Sequence, residues 1–230
     1  MLFIEIEKSI LRTHEIHILL LLFYCKNECL MSLDKPRRVL ITEYRKVMVF
    51  IDGGYLREEL LRIRDNDNWD IEYFNDHIVK VFDDYPIVGE LIRTYYYDAN
   101  YDLDDPLFDE STHKEKYQRN KALFEELERK ENVDVKLGRL VLSSKGPQRQ
   151  KGVDMLFAID LIIKALFNQF EIAILFCGDR DFIPLVQAVK NFTGKRVYGI
   201  FFEKNCSNEL RREFDRTYTI RGEAYNILGI

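Results

Sequence analysis

Four aspartates carry the chemistry open to this sequence. Asp52 follows the apolar run Val47-Met-Val-Phe-Ile51, Asp154 follows a basic stretch at 143–152, and Asp179 and Asp181 follow the apolar run Ile172-Ala-Ile-Leu-Phe176. Carboxylates brought close together repel, so without a counter-ion at least one stays protonated or the site is strained. A hard divalent cation removes that conflict, and oxygen donors suit magnesium or manganese. Beside a phosphodiester, such a cation can activate water and steady the leaving oxygen. None of the four histidines falls in these segments and no serine–histidine pairing accompanies them, which argues against nucleophilic or histidine-based RNA cleavage. Taken singly, each acid also has a structural use. Asp52 precedes Gly53-Gly54 as turn residues do, while Asp154 and Asp181 stand where helix caps and first-turn acids stand.

The elements around them decide whether the four meet. Val47 to Ile51 reads as a strand buried on both faces. Helical stretches at 55–64 and 70–83 follow, then the β-rich run Glu90 to Tyr97 and a long helix from Thr112 to Lys130. Val133 to Leu142 is strand-like, and the polar loop 143–152 contains both glycine and proline. A helix at 153–168 leads to the second wholly apolar strand, 172–176. A helix at 181–191 then ends near Gly194. Arg196 to Phe202 forms the last strand, and a helix from Ser207 to Asp215 with a short tail closes the chain. Strands alternating with helices predict a mainly parallel sheet covered on both faces. In such a sheet every strand-to-helix loop lies at the carboxyl edge, where ligands bind. Topology alone therefore brings Asp52, Asp154, Asp179 and Asp181 to one edge.

Other residues are weaker candidates. Asp98 ends the second strand on the same edge. Asp160 lies six residues after Asp154, roughly 120° around the helix, which fits a supporting role better than direct ligation. Lys145, Arg149 and Lys151 sit in the loop entering the acidic edge, where they either track a phosphate backbone or form a solvated loop. Tyr95, Tyr96 and Tyr97 can stack bases in principle, but strand alternation puts Tyr96 on the face opposite its neighbours, so packing is the better expectation.

The 230 residues suffice for one sizeable α/β domain and an extension. With 47% apolar and 32% charged residues, the balance is that of a globular protein. A net charge of -5 argues against coating nucleic acid by bulk charge, yet permits a local basic groove. Cys25, Cys29, Cys177 and Cys206 do not form a disulfide framework in a chain this long, so a reducing cytoplasm is expected. His14, His17, Cys25 and Cys29 are zinc-ligand types, but the apolar run Ile18 to Tyr24 between them has no turn to fold the pairs together. That run is also shorter than the about 20 residues needed to span a bilayer. Its charged flank does not resemble a signal peptide, so no membrane partner is expected. Residues 1–45 read as an extension, either a helix packed on the domain or, if translation begins at Met31, a segment whose first thirty residues are not native. Residues 46–220 form the domain and 221–230 a tail.

Three blocks carry a family resemblance. Val49-Phe-Ile-Asp-Gly-Gly-Tyr-Leu56, Lys151-Gly-Val-Asp-Met-Leu-Phe-Ala-Ile-Asp160 and Leu175-Phe-Cys-Gly-Asp-Arg-Asp-Phe182 resemble the signature blocks of the NYN family, within it most closely the LabA-like group. Gly194-Lys-Arg-Val197 and Ser207-Asn-Glu-Leu-Arg-Arg-Glu-Phe-Asp215 are similar to its closing segments. The likeness runs in order over about 46–220. It implies a PIN-like three-layer α/β/α domain and a magnesium- or manganese-dependent ribonuclease, with RNA as partner and Asp52, Asp154, Asp179 and Asp181 at the matching metal positions. Cys177 departs from the pattern, because members commonly place serine before Gly-Asp.

Two rival readings stay open. One is a non-catalytic RNA-binding or regulatory module that keeps the fold and a weak metal site. The other is a haloacid-dehalogenase-like phosphatase, whose last motif Gly178-Asp179-Arg-Asp181 resembles. That chemistry needs a second aspartate two residues after the nucleophile, where this chain has Gly54.

Overall fold

The structure, a computed structural model, describes residues 45–64, 69–82, 89–144 and 148–230. The His14, His17, Cys25, Cys29 constellation, the apolar run Ile18 to Tyr24, Met31 and Lys145 lie outside these residues.

Seven described strands form one sheet: β1 (Arg45–Asp52), β2 (Gly89–Tyr101), β3 (Val133–Val141), β4 (Arg149–Lys151), β5 (Ile172–Phe176), β6 (Arg196–Phe202) and β7 (Arg216–Ile220). Their order is β4-β3-β2-β1-β5-β6-β7, with every neighbouring pair parallel except β3 and β4. Helices α1 (Gly53–Arg64), α2 (Ile71–Ile78), α3 (Glu110–Glu128) and the closing α7 (Ala224–Ile227) pack on one face. Helices α4 (Val153–Leu166), α5 (Ile183–Thr193) and α6 (Asn208–Glu213) pack on the other. This is the expected three-layer α/β/α arrangement.

The period of two along β1 explains its apolar run. Val47, Val49 and Ile51 enter one core with Leu56, Leu60, Phe74 and Phe124. Met48 and Phe50 enter the other with Phe157, Leu161 and Val186. A strand buried on both faces has no position for a polar side chain until it ends, and β1 ends at Asp52. The tyrosine triplet obeys the same rule. Tyr96 joins the first core and Tyr95 and Tyr97 the second, all three buried, so they pack rather than offer rings to bases. Helix α4 buries Val153, Phe157, Leu161 and Ala165, a four-residue repeat that places one face on the sheet. Helix α5 ends where expected, at a left-handed Gly194.

Several elements differ from the sequence expectation. Residues 149–151, expected within a loop, pair antiparallel with the end of β3 through Arg139↔Lys151, Leu140↔Gln150 and Val141↔Arg149. Arg-Gln-Lys carries no β-branched or aromatic residue to mark it; the open edge of β3 supplies the pairing. Strand β2 does not stop at Asp98 but continues to Tyr101, held by register with β3 up to Tyr101↔Leu140. Strand β6, expected to be the last, is followed beyond α6 by β7, which adds an outer strand to it, and Leu228 and Ile230 are buried in the first core. Among the described residues no helix is long and apolar enough to cross a membrane.

Candidate functional site

From β1 the chain builds outward through β2, β3 and β4, then returns through α4 to β5 on the other side of β1. The crossover connections diverge there, leaving a crevice at the carboxyl ends of β1 and β5 where α/β sheets bind ligands. Asp52 stands at its centre. The register pairs Ile51 with Phe176 and Asp52 with Tyr97, so Asp52 lies beside the segment entering Cys177 on one side and the residue before Asp98 on the other. Its Oδ1 accepts a hydrogen bond from the Tyr55 amide at 3.0 Å, which caps α1. Burial, and then the charges of Asp154 and Asp98, push the Asp52 carboxyl up from 3.8 to about 7, although the Tyr55 amide favours its charged form.

On the β5 side, Asp154, Asp179 and Asp181 line one cavity of about 220 Å³, with Met155, Ala158, Phe182 and Leu185 as its apolar wall. Asp154 sits in the first turn of α4. Asp179 precedes a single 3₁₀ turn, Arg180–Phe182, and its Oδ1 accepts from the Asp181 amide at 3.0 Å. Partial burial and the neighbouring Asp179 and Asp181 raise the Asp154 carboxyl. The loop lies here because residue 178 lacks a side chain: a Cβ would fall 2.4 Å from the Asn205 carbonyl oxygen and 2.5 Å from the Tyr55 ring. Cys177 is fully buried and burial holds its thiol well above the ordinary range, so it offers the crevice no thiolate.

On the β2 side, Asp98 is an acid already spoken for. It lies within β2 at 1% exposure and pairs with Arg57 Nη1 at 3.0 Å. It also accepts from the Tyr96 hydroxyl at 3.2 Å, the Ala99 amide at 2.7 Å and Gln150 Nε2 at 3.3 Å. Arg57 Nη2 donates in turn to Asn120 Oδ1 at 3.2 Å. Arg57, Asp98, Asn120 and Gln150 line a second cavity of about 390 Å³, together with Lys116, Arg119 and Gln148. Gly54 lets the two sides meet: a Cβ there would sit 2.9 Å from Gln150 Nε2 and 3.3 Å from Asp52 Oδ1.

The sequence reading missed Arg57, Asn120 and Gln150. Gln150 had one signal, a neutral residue between Arg149 and Lys151 at strand alternation, but it is readable only once β4 is known. Arg149 and Lys151 themselves are exposed on this outermost strand. Asp160 stands apart from the acids. It accepts from the Tyr97 hydroxyl at 3.0 Å and pairs with Lys164 at 3.3 Å, so it fixes a core tyrosine.

The acids thus form a row along the edge, from Asp98 through Asp52 and Asp154 to Asp179 and Asp181, with Asp52 feeling the charge of both neighbours. The donors are all carboxylate oxygens, and burial first and crowding second raise two of them, which fits a hard divalent cation in kind. Among the described residues, no three histidine, cysteine or acidic side chains stand in a grouping that would enclose an ion as placed.

A parallel sheet with helices on both faces and acids gathered at its switch point is a PIN-like α/β/α domain. The chain belongs to the NYN family, whose domain profile matches residues 46–221. No curated protein matches it. Among solved structures it is similar to a protein of unknown function, VPA0982 from Vibrio parahaemolyticus RIMD 2210633. That chain is 18% identical, with 78% of this chain and 95% of that chain covered and a TM-score of 0.53, a likeness of fold.

Proposed function

We propose that this protein is a metal-dependent ribonuclease that hydrolyses RNA phosphodiester bonds at the carboxyl edge of β1 and β5. The observation that carries this reading is the Asp52 carboxyl, raised to about 7 by burial and by acids on both sides. Burying a carboxyl beside other acids costs stability, and functional sites are where folds retain such a cost. Asp52, Asp154, Asp179 and Asp181 would hold magnesium or manganese. When bound, the ion supplies a nucleophilic water and neutralises charge on the phosphate. The chain's own residues prepare the place: the Tyr55 amide fixes one Asp52 oxygen, the Asp181 amide fixes one Asp179 oxygen, and Arg57 cancels Asp98. The cavity on the Asp98 side offers Lys116 and Arg119 to backbone phosphates and the amides of Asn120, Gln148 and Gln150 to unstacked base edges. Arg149 and Lys151 flank the same path from β4. Cys177 and Cys206 are free thiols, which fits a reducing cytoplasm.

A second reading, a non-catalytic RNA-binding or regulatory module, is favoured by one observation, the lack of a closed group of metal donors among the described residues. One experiment separates them. The purified protein is incubated with mixed RNA and DNA oligonucleotides, with manganese or with a chelator, beside Asp52→Asn. The nuclease reading expects RNA cleavage only with metal and none by the variant. RNA binding without turnover supports the module instead. Hydrolysis of a small phosphate ester with none of RNA points to the phosphatase.

A further inference from the structure

Helix α4 is apolar on the side turned away from the sheet as well as on the side that packs. Val153, Phe157, Leu161 and Ala165 are buried, yet Met155, Ile159, Ile162, Ile163, Leu166 and Phe167 are 64%, 47%, 37%, 44%, 58% and 74% exposed. At 100° per residue these six side chains fall on one continuous outer face of the helix and its C-cap. Phe192, near the end of the neighbouring α5, adds another ring at 82% exposure. The charged residues of α4 are Asp154, Asp160 and Lys164, and none stands within this face. Asp154 borders the acidic cavity, and Asp160 and Lys164 pair with each other beside Tyr97 and Tyr95. A helix apolar all round belongs in an interior, and a patch of this extent on a folded surface marks an interface.

We propose that this face of α4 is the contact surface between two copies of the chain. Three features select a second copy as the occupant. A two-fold axis brings the face onto itself, and because it carries no charge, like meets like without repulsion. The exposed side chains present on the order of 800 Å² of apolar surface, about what each partner contributes to a stable interface. The face is a convex helix surface, which ridges-into-grooves packing matches with another helix of the same kind. A lipid surface fits poorly. Membrane-lying helices carry rows of lysine and arginine along the polar flank, whereas Lys164 is the sole basic residue of α4 and is paired with Asp160. Met155 belongs both to this face and to the wall of the acidic cavity, so assembly sets one rim of that cavity.

The proposal does not rest on the nuclease reading, and its test needs no activity. The mass of the full chain is measured by light scattering after size exclusion, at concentrations from low to high micromolar, for wild type, for Ile159→Glu and for Leu166→Gln. The expected result is a wild-type dimer at twice 27.5 kDa that dissociates on dilution, and variants that halve the mass while keeping the wild-type circular dichroism. Because both side chains are exposed, the variants should fold; Leu166→Gln, which adds no charge, guards against a folding defect in the other. A wild-type monomer at every concentration overturns the proposal, as does a dimer that both variants leave intact. So does a monomer that floats with anionic phospholipid vesicles through the same residues.

Discussion

Asp52→Asn should make the metal-free protein more stable at pH 8 and less stable at pH 4. The folded pKa of about 7 lies above the ordinary 3.8, so the folded state holds this proton more tightly than the unfolded chain does. Stability contributed by the protonated group is therefore full below about pH 4, falls as pH rises, and is lost once pH passes about 7. At 1.36 kcal/mol per unit the shift corresponds to about 4 kcal/mol. Asp52 is partly open to solvent, and screening reduces this to about 2 kcal/mol. Asparagine keeps an oxygen for the Tyr55 amide but puts an NH2 group where the second carboxyl oxygen stood, at a cost of about 1 kcal/mol at either pH. The variant should thus be about 1 kcal/mol more stable than wild type at pH 8, or about 2–4 °C in melting temperature for a domain of this size. At pH 4 it should be about 1 kcal/mol less stable. Urea and thermal unfolding in chelator at the two pH values measure both numbers. If wild type and variant lose the same stability between pH 4 and pH 8, Asp52 carries no buried charge burden and is simply the cap of α1.

Other expectations follow from the same geometry. Magnesium or manganese should raise the wild-type melting temperature by mass action, with a smaller rise for Asp179→Asn; equal rises would separate Asp179 from the metal. Arg57→Met should cost about 3–5 kcal/mol in urea unfolding because it leaves Asp98 buried and unpaired, and adding Asp98→Asn should recover most of that loss. Alanine at both Arg149 and Lys151 should lower the slope of log affinity for single-stranded RNA against log salt by about 0.7 per lost phosphate contact, and an unchanged slope would remove β4 from the RNA path. Tyr97→Phe should cost about 1 kcal/mol through its bond to Asp160 and leave RNA cleavage intact, whereas lost cleavage at retained stability would bring Asp160 into the chemistry.

The parts of the fold readable in the sequence are those where one physical requirement dominates. Burial on both faces leaves β1 and β5 as unbroken apolar runs, and the first residue released from burial in β1 is the acid at the crevice. Alternation likewise placed Tyr95, Tyr96 and Tyr97 in opposite cores. Elements set by a neighbour rather than by their own residues were not readable. The ladder of β4 comes from the edge of β3, and Asp98 stays in a strand because β3 pairs past it. Strand β7 did carry a signal in Arg-Thr-Tyr-Thr-Ile, whose alternation and threonines suit an outer strand. The Arg57–Asp98 pair joins residues 41 apart in sequence and Gln150–Asp98 residues 52 apart, and no local pattern reports either.

The salt bridge at one end of the acidic row gives the edge a direction. Around Asp98 the negative charge is cancelled by Arg57, and Lys116 and Arg119 stand in the same cavity against one further acid, Glu58. Around Asp154, Asp179 and Asp181 no basic side chain lines the cavity among the described residues. The electrostatic potential therefore slopes along the crevice, from welcoming a polyanion near β2 to rejecting it near β5. On the proposed function, a nucleic-acid strand approaching from solution would rest on the β2 end unaided and advance to the other end only once cations had levelled the slope. Asp52 stands between the two ends, so on that proposed function its own charge state would govern how far along the edge a strand can travel.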